Sequence, residues 1–189
     1  MKFFGAAALL AAATGAWAGD AGRAPNRAVT TCLSPGGNAA ILFQGREVAT
    51  RVLKQAGIRL EWRNDEHSCV AAGRGIVIEV SFATPKDRPS DALAYAMPFE
   101  RTHVVLFYDR VLSSAAPAMV PYLLGHVLAH EIVHMLQGTD RHSASGVMKA
   151  HWDNHDYTEM LNWRLHFTEE DILLIQGGLA RPPRPAPVD

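Results

Sequence analysis

The chain has 189 residues, of which 48% are hydrophobic and 20% charged, the proportions of one globular domain rather than a membrane channel, a collagen-like rod or a disordered tail. At this length about two thirds of the unfolded surface is buried on folding, enough for one proper core. Lys and Arg number 18 against 19 Asp and Glu, a net charge of -1, so nothing marks nucleic acid or an anionic membrane as a partner.

The first segment has the form of an export signal. Met1-Lys2 precedes an apolar run from Phe3 to Ala13, and Ala16-Trp17-Ala18 supplies the small-x-small pattern of a cleavage site. The run is too short for a bilayer core of about 30 Å, and no second apolar run approaches spanning length. The expected organisation is a cleaved signal over residues 1–18, one domain over 19–180, and a Pro-rich, disordered tail over 181–189. A secreted or periplasmic protein follows, free of the membrane after cleavage and expected to be a monomer. In an oxidising compartment the two cysteines, Cys32 and Cys69, read first as a disulfide. Closing that loop would stabilise the fold by about 4 kcal/mol in the chain-entropy model.

Along the mature chain, Ala28 to Leu33 has the alternation and β-branched content of a first strand, turned by Pro35-Gly36-Gly37. Apolar residues recur at helical spacing from Asn38 to Ala56, with Asn38 as N-cap and Gly57 as the stop. Ile58 to Trp62 alternates strictly, and Gly75 to Phe82 is a second such run. Leu93 to Met97 is a short strand confined to a sheet edge by Pro98. His103 to Tyr108 is nearly all apolar and fits a strand covered on both faces. A long helix is expected from Pro117, in its first turn, to Gln137, before Gly138. After an irregular stretch, Thr168 caps a last helix through Leu174 that Gly177-Gly178 closes. The order predicts a single α+β domain: a mixed, twisted sheet, one long helix and a C-terminal helix.

Six of the nine histidines, at 126, 130, 134, 142, 151 and 155, fall in one short stretch. Within the long helix stands His130-Glu131-Ile132-Val133-His134. Histidines at i and i+4 are offset by about 40° around the helix and about 6 Å along it, so both imidazoles reach one metal ion. Zn²⁺ takes neutral imidazole and keeps an open position in catalytic sites. Glu131 is placed to accept the proton of the attacking water. The surrounding helix is strongly apolar (Leu123, Leu124, Val127, Leu128, Ile132, Val133, Leu136), and burying two His and a Glu there is costly without a partner such as a metal. Two ligands leave the site one short. Gly138 lets the chain reverse, which makes His142 the first candidate for the third ligand. Asp140 is the rival because a carboxylate also binds zinc, and His151 and His155 complete the alternatives. His126, one turn before His130, reads as a packed or surface histidine rather than a ligand, and Tyr157 is a candidate for stabilising an oxyanion.

His130-Glu131-x-x-His134, a glycine, a third histidine and then Gly146-Val147-Met148 resemble the metzincin clan of zinc endopeptidases, which carry H-E-x-x-H-x-x-G-x-x-H and a methionine turn. The segment through Met148-Lys149-Ala150-His151-Trp152 is also similar to a group of small secreted bacterial proteins related to that clan. The resemblance implies a zincin-like single domain with His130, His134 and His142 as zinc ligands, Glu131 as general base and Met148 as the turn methionine. The chain departs from the pattern in spacing. Gln137 and Asp140 occupy the clan's glycine and third-ligand positions, while Gly138 and His142 stand one and two residues later, so Asp140 stays open as a ligand.

On this reading the substrate is a protein or peptide, extended along the edge strand at 93–98. Two rivals remain: a secreted zinc-binding domain without turnover, and a zinc amidase acting on cell-wall material.

Overall fold

The computed structural model describes residues 27–71, 75–86, 88–89 and 91–181; the expected export signal and residues 182–189 of the expected tail lie outside the described residues. Five strands form one sheet: β1 (Arg27–Leu33), β2 (Ile58–Arg63), β3 (Ile76–Ser81), β4 (Ala94–Ala96) and β5 (His103–Phe107). Their spatial order is β2-β1-β3-β5-β4. Neighbours are parallel except for β4, which runs antiparallel to β5 at the sheet edge. The α+β expectation with a mixed sheet therefore holds, and Leu93 to Met97 yields the edge strand.

Side chains two apart on a strand share a face, and this rule divides the interior. Val29 and Leu33 of β1, with Ile76, Ile78 and Val80 of β3, join the main core. Cys32 and Val77 point to the other face, where they form a small separate cluster with Cys69. Cys69 belongs to a short helix, α2 (Glu66–Ala71), and is disulfide-bonded to Cys32 with the Cα atoms 6.0 Å apart. The crosslink thus secures α2 against β1 on the face away from the main core.

That core is filled by α1 (Ala39–Gln55) and α4 (Val120–Gln137), which pack on one another and on the sheet. Asn38 caps α1 as expected, its side chain accepting from the amides of Ala40 at 3.0 Å and Ile41 at 3.2 Å. In α4 almost every residue is buried, as a helix apolar all round requires. It ends at Gly138, whose φ of 69° places it in the left-handed region. Glycine adopts that conformation without steric cost.

Several expectations are corrected. The long helix starts at Val120, so Pro121 rather than Pro117 occupies its first turn, and Pro117 lies in the preceding turn. The strand β5 is fully covered on one face only: Val104 and Leu106 are buried, while His103 and Val105 are half-exposed. Tyr108 leaves the strand to open α3 (Tyr108–Ser113), and the stretch expected to be irregular holds α5 (Asn154–Leu161). The last helix, α6 (Glu169–Ala180), runs through Gly177-Gly178 instead of stopping there. Packing explains this. A Cβ on Gly178 would come within 1.8 Å of the Leu136 carbonyl, so glycine is what lets α6 close onto the end of α4. That contact outweighs glycine's weak helix propensity of about 1 kcal/mol.

Candidate metal centre

His130, Glu131 and His134 project from the middle and last turns of α4, and all three are buried. His142 comes from the segment after Gly138 that carries neither helix nor strand, and it is exposed. The structure nonetheless brings it to the helix. One nitrogen from each of His130, His134 and His142 lies within 4.8 Å of the other two. Ring centroids are 4.6 Å apart for His130 and His134, 5.2 Å for His130 and His142, and 4.9 Å for His134 and His142.

The hydrogen bonds set the tautomers of the two helix histidines. Nδ1 of His130 lies 2.8 Å from the Val147 carbonyl oxygen, and Nδ1 of His134 lies 2.9 Å from that of Thr139. A carbonyl only accepts, so each Nδ1 must carry a proton. A neutral imidazole has only one proton to give, which leaves both Nε2 atoms as bare lone pairs. These two atoms face each other at 2.9 Å. Protonating one would relieve the repulsion, but burial opposes it. It pulls His130 down to about 3, aided by the neighbouring His134 and only partly offset by the Val147 bond. His134 is pulled down to about 4, with the Thr139 bond opposing. Two lone pairs converging in a buried site, with a third imidazole beside them, are the donor set of a cation such as Zn²⁺. The residues therefore fit the metal that the motif implies.

Glu131 borders the same cavity as the three histidines. Burial pushes its carboxyl up to about 8, against a lowering hydrogen bond from the Ala96 backbone. That bond places the free edge of β4 directly against the carboxyl group. A cation nearby favours the ionised form, so proton affinity at Glu131 is poised between burial and the occupant of the histidine cluster.

A cleft of about 810 Å³ runs past these groups. It is lined by Leu93 to Ala96 around β4, by Trp152 and Tyr157, and by His130, Glu131, His134 and His142. Trp152 also packs edge-on against His130, ring centroids 5.6 Å apart. Beneath the helix, Met148 is completely buried, and the turn around it is closed by Lys149 N–H donating to the Gly146 carbonyl at 3.1 Å.

The remaining candidates stand outside the three-nitrogen group, although Asp140, His151 and Tyr157 also line the cleft. Asp140 is exposed at the cleft and close enough to favour protonation of His134 and His142, yet it is not a member of the three-nitrogen group. His142 itself is lowered by burial, with Asp140 opposing. His151 is 76% exposed and pairs with Asp91 at 3.1 Å, and His155 is exposed at the start of α5. Of the two settings open to His126, packed or surface, the structure shows the packed one, with Nδ1 donating to the Tyr122 carbonyl at 2.8 Å. Tyr157 lines the cleft. The sequence reading missed the carbonyls of Val147 and Thr139, because backbone acceptors leave no trace in residue types.

No family model matches the chain, and no curated protein matches it. Among solved structures it is similar to archaemetzincin from Methanopyrus kandleri, with a TM-score of 0.52 and 16% identity over 82% of this chain and 97% of that one. A comparison with myroilysin gives a TM-score of 0.37 and 11% identity, covering 79% of this chain and 66% of that one. The first likeness establishes the fold alone, a mixed α+β domain like that of archaemetzincin.

Proposed function

We propose that the chain is a secreted, zinc-dependent endopeptidase in which His130, His134 and His142 hold the metal and Glu131 is the general base. The observation that carries this reading is the pair of Nε2 lone pairs facing each other at 2.9 Å with no proton to share. Archaemetzincin's fold is consistent with it.

Zinc bound there supplies Lewis acidity, polarising the scissile carbonyl and making water a nucleophile near neutral pH. The protein's own groups do the rest. Glu131, which lines the cleft, accepts a proton from the attacking water and returns it to the departing amine. Its burial suits that task, because a carboxyl with raised proton affinity takes and holds a proton more readily than an exposed one. The Ala96 backbone bond fixes its orientation. The substrate peptide lies extended against β4, whose outer edge has no neighbouring strand among the described residues, and pairs with it through main-chain hydrogen bonds. Export rests on the pattern of residues 1–18, and the Cys32–Cys69 disulfide supports an oxidising compartment, periplasm or medium. The mature domain then comprises residues 19–180 and acts as a monomer.

Elemental analysis of the dialysed mature chain, residues 19–189, is the first test, and it should return one zinc per chain. No zinc, even after refolding with added metal, would sink the peptidase reading. With zinc present, Glu131→Ala should retain the metal and lose hydrolysis by about 10²–10⁴-fold; appreciable residual activity removes Glu131 as the base. A panel of unfolded proteins and cell-wall fragments, assayed together, separates an endopeptidase from an amidase.

A further inference from the structure

His142 stands on a segment without regular structure, so something must hold it at the cluster. Both residues beside it in sequence bond to one atom. Arg141 places Nη1 3.3 Å from Oδ1 of Asp171, and Ser143 donates its hydroxyl to the same oxygen at 2.5 Å. Arg141 also donates to the Ser143 hydroxyl at 3.2 Å and, through Nη2, to Glu170 at 2.5 Å. A second tie comes from the Ser143 amide, which donates to the Met148 carbonyl at 2.8 Å.

Asp171 is fully buried, and a buried carboxylate is tolerated only when its acceptor positions are filled. Its two oxygens divide the work. Oδ2 accepts from the Thr168 amide at 3.0 Å and the Thr168 hydroxyl at 2.7 Å, completing the capping box of α6. Helix capping therefore needs one oxygen, and the other faces the loop of His142. Asp171 is in turn fixed relative to the metal helix. Gln137 donates to its backbone carbonyl at 3.4 Å, and α6 closes onto the Leu136 carbonyl at Gly178.

We infer that Asp171 is a positioning residue of the metal centre: through Arg141 and Ser143 it holds His142 where a cation shared with His130 and His134 requires it. The inference rests on the zinc-site reading above. It makes the C-terminal helix part of the site, although no residue of α6 lines the cleft. Direct hydrogen-bond partners of a ligand typically account for 10–100-fold in metal affinity; Asp171 acts one step further back, through the neighbours of His142, so an effect of about 10-fold, the lower end of that range, is expected.

Zinc affinity, measured by competition with a chromophoric chelator on the whole mature chain, tests this without any activity assay. The Arg141→Ala/Ser143→Ala double variant leaves the capping box intact but strips Oδ1 of both partners, so its metal-free form should melt below wild type, and it should bind zinc about 10-fold more weakly. Thr168→Ala breaks the cap but not the tie to the loop; it should lower the melting temperature and keep zinc affinity within about threefold. A double variant with wild-type affinity, or a Thr168→Ala variant that loses as much affinity as the double, overturns the role of Asp171. Ser143→Ala alone, a smaller change, gives the same decision if the double variant does not fold. A wild-type chain without zinc, or a His142→Ala variant binding as tightly as wild type, removes the metal-site reading itself and is thereby distinguished from failure of the Asp171 role.

Discussion

His130 and His134 stand on an 18-residue helix that is buried nearly throughout, whereas His142 stands exposed on a segment with no helix or strand. On the helix, the spacing of four residues aligns both imidazoles before any tertiary contact forms. The two backbone carbonyls that orient them, from Val147 and Thr139, only have to select a tautomer. The loop has no such internal geometry. Its imidazole reaches the same point because Arg141 and Ser143 are tied to Asp171, 30 and 28 residues away. A three-histidine cluster can thus be half local and half long-range, and on the metal-site proposal the two halves should fail differently.

Removing a helix ligand should do the most damage. His134→Ala leaves one helix imidazole and His142, and zinc should be lost on dialysis. His142→Ala keeps the preformed helix pair, so weaker but measurable binding is expected. Elemental analysis and chelator competition on both variants check the ranking; equal loss would show that the helix pair alone has no standing affinity.

Breaking the crosslink probes a region remote from both halves. Cys32→Ala/Cys69→Ala frees α2 on the far face of the sheet, and the unfolding free energy should fall by about 4 kcal/mol. Zinc stoichiometry at moderate temperature should stay at the wild-type value. Denaturant unfolding with metal analysis measures both, and zinc loss from the folded variant would mean that the far face does support the site.

A buried histidine outside the cluster supplies a pH test of the helix. Burial holds His126 down at about 4, against the raising bond to Tyr122. Its folded value lies below the ordinary 6.5, so the unfolded chain binds the proton first as pH falls. The stabilising contribution is therefore complete above about 6.5 and is lost progressively between 6.5 and 4, amounting to about 3 kcal/mol. The difference between wild type and His126→Gln in unfolding free energy, followed across that window, isolates this group from the other histidines. Parallel curves would refute the assignment.

Asp140 should matter least. It lies beside the cluster without belonging to it, so Asp140→Ala is expected to change zinc affinity by less than about threefold, consistent with a partly screened neighbouring charge. A loss matching that of His142→Ala would transfer the third ligand to the carboxylate and show that the loop can present either residue.

Local rules made much of the molecule legible from residues alone. The alternation in Ile58 to Trp62, the capping oxygen of Asn38 and the left-handed stop at Gly138 each depend on a few adjacent residues, and each appears where the pattern puts it. The short helices α2 and α3 escaped because six residues are too few for a helical period to show. For α5 a signal did exist, the reciprocal cap between Asp153 and Asp156, in a stretch otherwise dominated by histidines. The run through Gly177-Gly178 could not be read, because the reason for it is a backbone carbonyl of another helix.

The sequence by itself determined the side chains on offer: two imidazoles that helical spacing turns to one face and a carboxylate beside them, on a strongly apolar helix. Tertiary structure decided which later residue joins them. Asp140 and His142 are both close to the end of α4, and local geometry does not choose between them. The choice comes from Asp171, a residue that caps one helix with one oxygen and restrains the loop of another with the second, a contact that exists only once α6 has closed onto α4.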